Sequence, residues 1–492
     1  MKLIKDRCTG CGYCVLVCPY DALRTNGWAE VIPANCTDCN LCVYACPNDC
    51  FAPDVPLRPY QPRVKDDYEV LVIGSGLGGL MAATALAQAG RRVAVFEKLG
   101  FPGGRYTELD YKGAAVTTGA WTNLGPHSHI DRFLTELGLK LDYVSLADAG
   151  LTEQYAIRFP DGRHYASLFD MLDRPARQAW LKAIADGRRR PAEALARLST
   201  AAYIAQYSDD PQLMAAVEAI VATASGLPAD RIPAAEYIQI TLDARQAGRE
   251  FAMPRGGVRA IIKALTGALR RAGGELFLRS PVAQILVSAG VAGGVQLANG
   301  RRVRSRVVLH NGGPGRLIEL VGAEHLPQDY LDHLERLQGV EVAALFGATR
   351  RPLFSDAPIT MTPGCRRVVG IFLPTVLDPT LSKAGLSLFD AFFPLHSADR
   401  AAELELALAD LRALFPDFDE VVVWTAPMFF TGDWPGAESG QTFGQTGELR
   451  LDPATPIKNC FLVGMDVKGS GVAGDLIPLG VRRVVDAILE RT

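Results

Sequence analysis

From residue 68 onward the chain alternates short apolar runs with longer helical spacings. Tyr68-Glu-Val-Leu-Val-Ile73 and Arg92-Val-Ala-Val-Phe96 are nearly continuous apolar runs, which predicts two strands covered on both faces. Between them a helical stretch runs from Leu80 to Ala89 and stops at Gly90. From about 130 to 250 the pattern is helical, with Ala-rich segments at 191–197 and 213–220. Residues 340–430 turn strand-rich, as in Glu341-Val-Ala-Ala-Leu-Phe346 and Glu420-Val-Val-Val-Trp424. Near the end, Asn459-Cys-Phe-Leu-Val-Gly464-Met465-Asp466 reads as a strand. It runs into Gly469-Ser-Gly471-Val-Ala-Gly474 and a last helix beginning near Val472.

Composition sets bounds on this picture. A chain of 492 residues, 48% hydrophobic, 21% charged and with a net charge of −3, exceeds one ordinary domain and describes a soluble globular protein. The Arg188-Arg189-Arg190 cluster is too short to argue for nucleic acid and reads as a solvated helix end or loop. No stretch reaches the apolar length that spans a bilayer, and no apolar signal core precedes the first cysteine, so a cytoplasmic location is expected.

The first fifty residues follow another logic. They hold nine of the eleven cysteines, eight of them in one spacing written twice. Cys8-x2-Cys11-x2-Cys14-x3-Cys18-Pro19 returns as Cys36-x2-Cys39-x2-Cys42-x3-Cys46-Pro47. Disulfides call for a secreted context, and structural zinc joins short Cys or Cys/His pairs, so thiolate-held iron–sulfur clusters fit this pattern best. The run resembles bacterial two-[4Fe-4S] ferredoxins. That resemblance implies crossed ligation, with Cys8, Cys11, Cys14 and Cys46 on one cluster and Cys36, Cys39, Cys42 and Cys18 on the other. Cys50 aligns with an alanine of the first repeat and reads as a small buried side chain. After it, residues 52–62 carry a proline at every third position, a semi-rigid polyproline spacer.

Gly74-Ser75-Gly76-Leu77-Gly78-Gly79 lies between the first predicted strand and its helix, and Glu97 ends the next strand, twenty-three residues after Gly74. In that context the glycines allow a tight turn and close approach of a pyrophosphate. The helix N-terminus faces the anion, and the acid accepts hydrogen bonds from ribose hydroxyls. NAD and FAD share this fingerprint. The choice rests on Phe101-Pro102-Gly103-Gly104-Arg105, Pro254-Arg-Gly256-Gly257, Ser280-Pro-Val282 and the C-terminal Gly464-Met465-Asp466. Together they resemble the phytoene desaturase and amine oxidase superfamily of FAD enzymes, from about residue 68 to the end. The resemblance implies FAD held by Gly74, Ser75, Gly76, Leu77, Gly78, Gly79, Glu97, Lys98, Gly104, Arg105, Val282, Gly464, Met465, Asp466, Val472 and Ala473. Arg105 would face the pyrophosphate or flavin edge, Val282 the adenine side and Asp466 the ribityl or phosphate groups. Simple turn formation remains open for Gly464 and Gly471, and an ordinary loop before a helix for His127 and His129. No catalytic acid or base stands out.

The expected fold is an α+β ferredoxin-like domain (1–52) and a linker (53–67), followed by an α/β Rossmann-type FAD domain in three parts (68–130, 251–320, 441–492). A mixed α/β cap is inserted at 131–250 and 321–440. Joining flavin to clusters predicts a converter between two-electron and one-electron chemistry. The reading preferred on sequence is a ferredoxin-linked NAD(P) oxidoreductase of anaerobic metabolism, partnered by a ferredoxin or an iron–sulfur subunit of a larger low-potential complex. The alternative is a reductase, desaturase or isomerase of an unsaturated apolar substrate.

Overall fold

The computed structural model describes residues 1–54, 63–120, 125–247, 251–432, 434, 439–471 and 473–490. The proline spacer over 55–62 and Val472 lie outside the described residues.

A seven-stranded sheet carries the glycine-rich turn that follows residue 73. Asp67–Ile73 lies at its centre, parallel to Val93–Phe96 on one side and to Arg302–His310 on the other. Glu275–Phe277 extends the first side, and Cys460–Leu462 pairs parallel with Arg302–His310. An antiparallel pair, Val282–Ser288 and Val291–Leu297, completes it. The helix Leu77–Gln88 is apolar nearly all round because it is covered nearly all round. It lies between the sheet and the helices Arg259–Arg271 and Ile477–Leu489, in one core with Val70, Val72, Leu265 and Val481.

A second seven-stranded sheet forms the cap, in the order His164–Tyr165, Tyr155–Arg158, Ile359–Met361, Gly370–Phe372, Ser387–Pro394, Val342–Thr349, Val422–Phe430. One face is covered by the helix Arg400–Leu414, whose Leu404, Ala407 and Leu411 meet Leu345, Phe389 and Phe393. The helices Arg174–Gly187, Pro211–Ser225 and Ala234–Ala247 pack on Ile157 and Met361. Sequence segments far apart thus form one cap.

The final helix begins at Ile477 rather than near Val472, because a 3-10 turn, Ala473–Leu476, comes first. Asp475 in that turn accepts the backbone N–H groups of His129 (2.9 Å) and Ile130 (2.8 Å), which ties the turn to the start of His129–Glu136. His129 is therefore a helix-start residue. Among the described residues no helix is long and apolar enough to cross a membrane.

The N-terminal unit carries two short helices, Tyr13–Leu16 and Leu41–Ala45, and two antiparallel strand pairs, Lys2–Leu3 with Phe51–Ala52 and Leu23–Thr25 with Ala29–Val31. It is docked on both larger parts. Phe429 N donates to Gly10 O (3.0 Å), Thr25 Oγ1 to Pro427 O (2.7 Å), and Arg400 Nη1 to Gly27 O (3.0 Å) and Cys8 O (3.2 Å).

Candidate functional site

The glycine turn closes as tightly as its spacing demands. Gly74 sits at φ +91°, a Cβ on Gly79 would lie 2.3 Å from Gly74 O, and one on Gly76 would lie 2.5 Å from Asn311 Oδ1. The helix after it has no side-chain cap, so its first-turn N–H groups are open to an anion. Glu97 is 8% exposed and accepts from Ser75 N (2.8 Å), Ser75 Oγ (2.7 Å) and Leu99 N (2.8 Å). These bonds fix its carboxylate beside the turn. Ser280 N donates to Glu97 O (2.8 Å), which brings the strand starting at Val282 alongside. Asn311 Oδ1 is buried without a hydrogen-bond partner among the described residues, while its Nδ2 holds Val463 O at 2.6 Å. A glycine cradle and an open helix end fit a dinucleotide such as FAD.

The C-terminal loop reaches the same place. Arg105 Nη2 lies 2.7 Å from Met465 Sδ, Asp466 Oδ1 accepts Ser439 N at 2.7 Å, and Gly464 and Gly471 take φ +152° and +135°. A Cβ on Gly474 would fall 1.7 Å from Tyr106 Oη, so any larger residue there would have to displace the Tyr106 ring. Lys98 departs from its expected place. Its Nζ reaches Pro47 O (2.8 Å) and Asp49 Oδ2 (2.7 Å), so the side chain binds the N-terminal unit instead of the cofactor cradle. The ion pair with Asp49 accounts for this, while Glu97 is engaged by Ser75 and Leu99.

Several residues of the site carried no local sequence signal. Glu236, on the helix Ala234–Ala247, accepts from Gly471 N and Gln441 Nε2, both at 2.7 Å. Burial pushes its carboxyl up to about 7. Arg450 Nη1 donates to Gln445 O at 3.0 Å and Nη2 to Met465 O, while its buried Nε has no partner among the described residues. Each comes from an element distant in sequence, so only the fold could assemble them.

The cysteines fall into two groups. Cys11, Cys14 and Cys46 are buried and Cys8 is half-buried. Burial, with Cys46 and Cys8 adding to it, pushes the Cys11 thiol up to about 12; burial and the neighbouring Cys11, Cys46 and Cys8 push Cys14 well up. Cys42 is pushed up to about 11 by burial, with Cys39 and Cys18 adding, and a cleft is lined by Cys18, Cys36, Cys39 and Cys42. The structure thus brings Cys46 to the first triplet and Cys18 to the second. Backbone N–H groups face the sulfurs: Ala29 N to Cys8 (3.3 Å), Ala22 N to Cys18 (3.4 Å) and Cys50 N to Cys46 (3.2 Å). Among the described residues no three His, Cys, Asp or Glu side chains converge on a point as a single metal ion requires. Thiolate-only sets with N–H···S support fit an iron–sulfur cluster, whose corners are spread apart. Cys50, 3% exposed, is buried behind Cys46.

Tyr13 joins the two parts. It stands between Cys11 and Cys14, is 1% exposed, and donates from Oη to Thr118 O at 2.6 Å. Thr118 Oγ1 in turn donates to Gly104 O (2.8 Å) and Thr107 O (2.9 Å). The Tyr13 ring meets Phe101 edge-on at 5.8 Å and Trp434 at 6.1 Å.

Comparison with known proteins agrees with this geometry. Residues 77–475 match the family described as flavin containing amine oxidoreductase, and residues 1–24 and 33–49 match 4Fe-4S binding domains. An uncharacterised protein of Methanocaldococcus jannaschii is 25% identical over 429 residues, covering 85% of this chain and 98% of its own. Prolycopene isomerase 2 of an Oncidium hybrid cultivar is 26% identical over 387 residues, 66% of this chain and 64% of that one. Among solved structures, an oxidoreductase from Methanosarcina mazei superposes with a TM-score of 0.75 at 26% identity, over 85% of this chain and 100% of that one.

Proposed function

The chain belongs to the flavin containing amine oxidoreductases, and from that premise we propose that it acts on an apolar, unsaturated substrate and exchanges single electrons with a partner protein through two [4Fe-4S] clusters. It is an FAD-dependent oxidoreductase bearing 4Fe-4S motifs. Bound FAD supplies two-electron exchange and each cluster one-electron exchange.

One observation carries the reading. A single apolar core contains the inner cysteines Cys11 and Cys14, the dinucleotide-domain residues Leu99, Tyr111 and Val116, and the cap-sheet residues Phe346 and Met428. Cysteine module, dinucleotide segment and cap therefore meet at one place. Cys8, Cys11, Cys14 and Cys46 would hold the inner cluster, with Tyr13 and Thr118 linking it to Gly104. Cys18, Cys36, Cys39 and Cys42 would hold the outer one, where Cys39 is exposed and a one-electron partner can approach. Gly76, Gly79 and Glu97 would bind the adenosine pyrophosphate half of FAD. Arg105, Asp466 and Arg450 would stand at its other half.

The cap favours an apolar substrate over a second dinucleotide. The sheet face turned to residues 108–117 is built of Ala344, Phe346, Phe372, Leu388 and Ala426, all buried against that hairpin, so the cap is aliphatic and aromatic where it meets the dinucleotide segment. A relative named for prolycopene, a hydrocarbon polyene, supports the same class of substrate. Anaerobic titration of the holoprotein separates this reading from the NAD(P) one. Neither NADH nor NADPH should bleach the flavin, whereas an apolar conjugated ligand should shift its absorption. Stoichiometric bleaching by NADH or NADPH would overturn the proposal in favour of a ferredoxin-linked NAD(P) oxidoreductase.

A further inference from the structure

Several cations reach from the body of the chain to the cysteine module, and they differ in what balances them. Lys98 Nζ meets Pro47 O, beside Cys46, and is paired with Asp49 at 2.7 Å. Lys112 is paired with Asp21 at 3.2 Å, and the Arg279 guanidinium lies over the Tyr44 ring at 4.2 Å. Arg400 is the exception. It opens the helix Arg400–Leu414 and is half-buried where that helix meets the module; a Cβ on Gly27 would lie 2.9 Å from Arg400 Cβ. Its guanidinium donates from Nη1 to Gly27 O (3.0 Å) and Cys8 O (3.2 Å), and from Nη2 to Thr431 Oγ1 (3.3 Å). All three acceptors are neutral. The acids beside it on the helix are engaged elsewhere: Asp399 accepts Ala402 N at 3.1 Å, and Glu403 pairs with Arg367 at 2.5 Å. Among the described residues no carboxylate forms an ion pair with Arg400.

A guanidinium is always charged, and holding one half-buried without a counter-charge is costly. For docking alone, a neutral amide could reach such oxygens without that cost. The place of Arg400 identifies the missing anion. One of its carbonyls is that of Cys8, and the other belongs to the turn whose Ala29 N donates to Cys8 Sγ at 3.3 Å. Cys8 stands with the buried Cys11, Cys14 and Cys46. Four thiolates around a [4Fe-4S] cube carry net negative charge in both redox states, and reduction adds to it. The outer set has the opposite neighbour: Asp38 Oδ1 lies 3.6 Å from Cys36 Sγ, and the Met1 ammonium is divided between Asp38 and Asp54.

We propose that Arg400 is the resident counter-charge of the inner cluster and holds that cluster's reduction potential above the value its ligands alone would give. The proposal rests on the two-cluster reading above and adds what sets one of the two potentials. Net charge and hydrogen bonding around the sulfurs tune such potentials. Burial alone lowers the inner potential, because an added electron costs more where water is excluded. The same exclusion strengthens the pull of a cation held beside it. A residue of the cap thereby sets the potential of a cluster bound in another unit.

The test is a redox titration of anaerobic holoprotein, followed by electron paramagnetic resonance, in two backgrounds: Cys39→Ser keeps the inner cluster and Cys14→Ser the outer. Adding Arg400→Gln should lower the inner midpoint by about 59 mV, a change of about tenfold in a one-electron equilibrium and the size of one charge-assisted hydrogen bond. The outer midpoint should stay in place. Arg400→Lys keeps the charge and should keep the inner midpoint. Thr431→Asp gives the guanidinium a carboxylate without removing it and should lower the inner midpoint as Arg400→Gln does, whereas Thr431→Asn should not. That pair decides the question if Arg400→Gln fails to assemble. An inner midpoint left unmoved by Arg400→Gln or by Thr431→Asp, or lowered equally by Arg400→Lys, overturns the role of Arg400 and leaves the two-cluster reading in place. An outer midpoint that moves as far as the inner one does the same. Only about four iron per wild-type chain overturns the two-cluster reading and the proposal with it.

Discussion

The two cysteine motifs share a spacing and a backbone course but occupy opposite surroundings. Gly10 and its counterpart Asp38 both take positive φ, +77° and +52°, and so do Gly12 and Asn40, +75° and +63°. In the second motif these left-handed positions carry side chains. In the first they are glycines, because a Cβ on Gly12 would lie 2.8 Å from Met428 Cγ and one on Gly10 would lie 2.3 Å from Gly27 O. Tyr13, 1% exposed, corresponds to Leu41, 39% exposed. The halves therefore differ less in their ligands than in what was removed or added between them. Side chains are absent where the module docks, and one large aromatic is present where it must reach across.

The most damaging way to probe this comparison is at the ligands. Cys14→Ser and Cys39→Ser should each lower iron from about eight to about four per chain. Only Cys14→Ser should also stop electron equilibration between the flavin and the remaining cluster while weakening the docked core; Cys39→Ser should keep that step and lose the onward one to the external partner. Equal damage from both, by iron analysis and anaerobic stopped-flow, would erase the inner and outer distinction.

Next in size is the exchange of the left-handed residues. Gly12→Asn keeps a residue type that tolerates positive φ, so its cost isolates the clash with Met428, about 1–3 kcal/mol of stability. Asn40→Gly faces solvent and should cost less than about 1 kcal/mol. Thermal melts of the two variants rank them directly. Tyr13→Phe removes one buried hydrogen bond to Thr118 O, about 1 kcal/mol, and should slow flavin–cluster equilibration after flash reduction; Leu41→Ala should leave that rate unchanged.

The smallest effect belongs to the outer half. The Met1 ammonium meets Asp54 at 2.7 Å and Asp38 at 3.1 Å, and these partners, Asp54 first, raise it from 8.0 to about 10. Because the folded value lies above the unfolded one, this contribution is complete below pH 8 and is lost as the pH rises through 10. Asp54→Asn should therefore melt slightly below the wild type at pH 7 and indistinguishably from it at pH 11. A gap that persists at pH 11 would mean the pair acts by something other than the amine's charge.

Much of this architecture was legible in the residues themselves. The turn at Gly74–Gly79 and the acid Glu97 follow from steric and electrostatic demands confined to about thirty residues. The apolar runs gave the strands Asp67–Ile73 and Val93–Phe96 to within a residue. The late start of the last helix escaped because Asp475 serves a different helix, and the Lys98 side chain because its partner Asp49 lies in another unit. Asn311, Glu236 and Arg450 were silent for one reason. Each is unremarkable among its own neighbours and becomes a site residue only when strands and helices far apart in the chain meet.

The covering of Cys11 and Cys14 by Met428 and Phe430 has a consequence in time. The cysteine module is synthesised about four hundred residues before its cover. At about 5–20 residues per second, the inner thiols stay open for roughly 20–80 seconds on the ribosome and are then enclosed. Iron delivery to the proposed inner cluster would thus be a matter of birth order. Iron and sulfide offered to fully folded apoprotein should fill the outer set, around exposed Cys39, and leave the inner set empty until the cap is loosened.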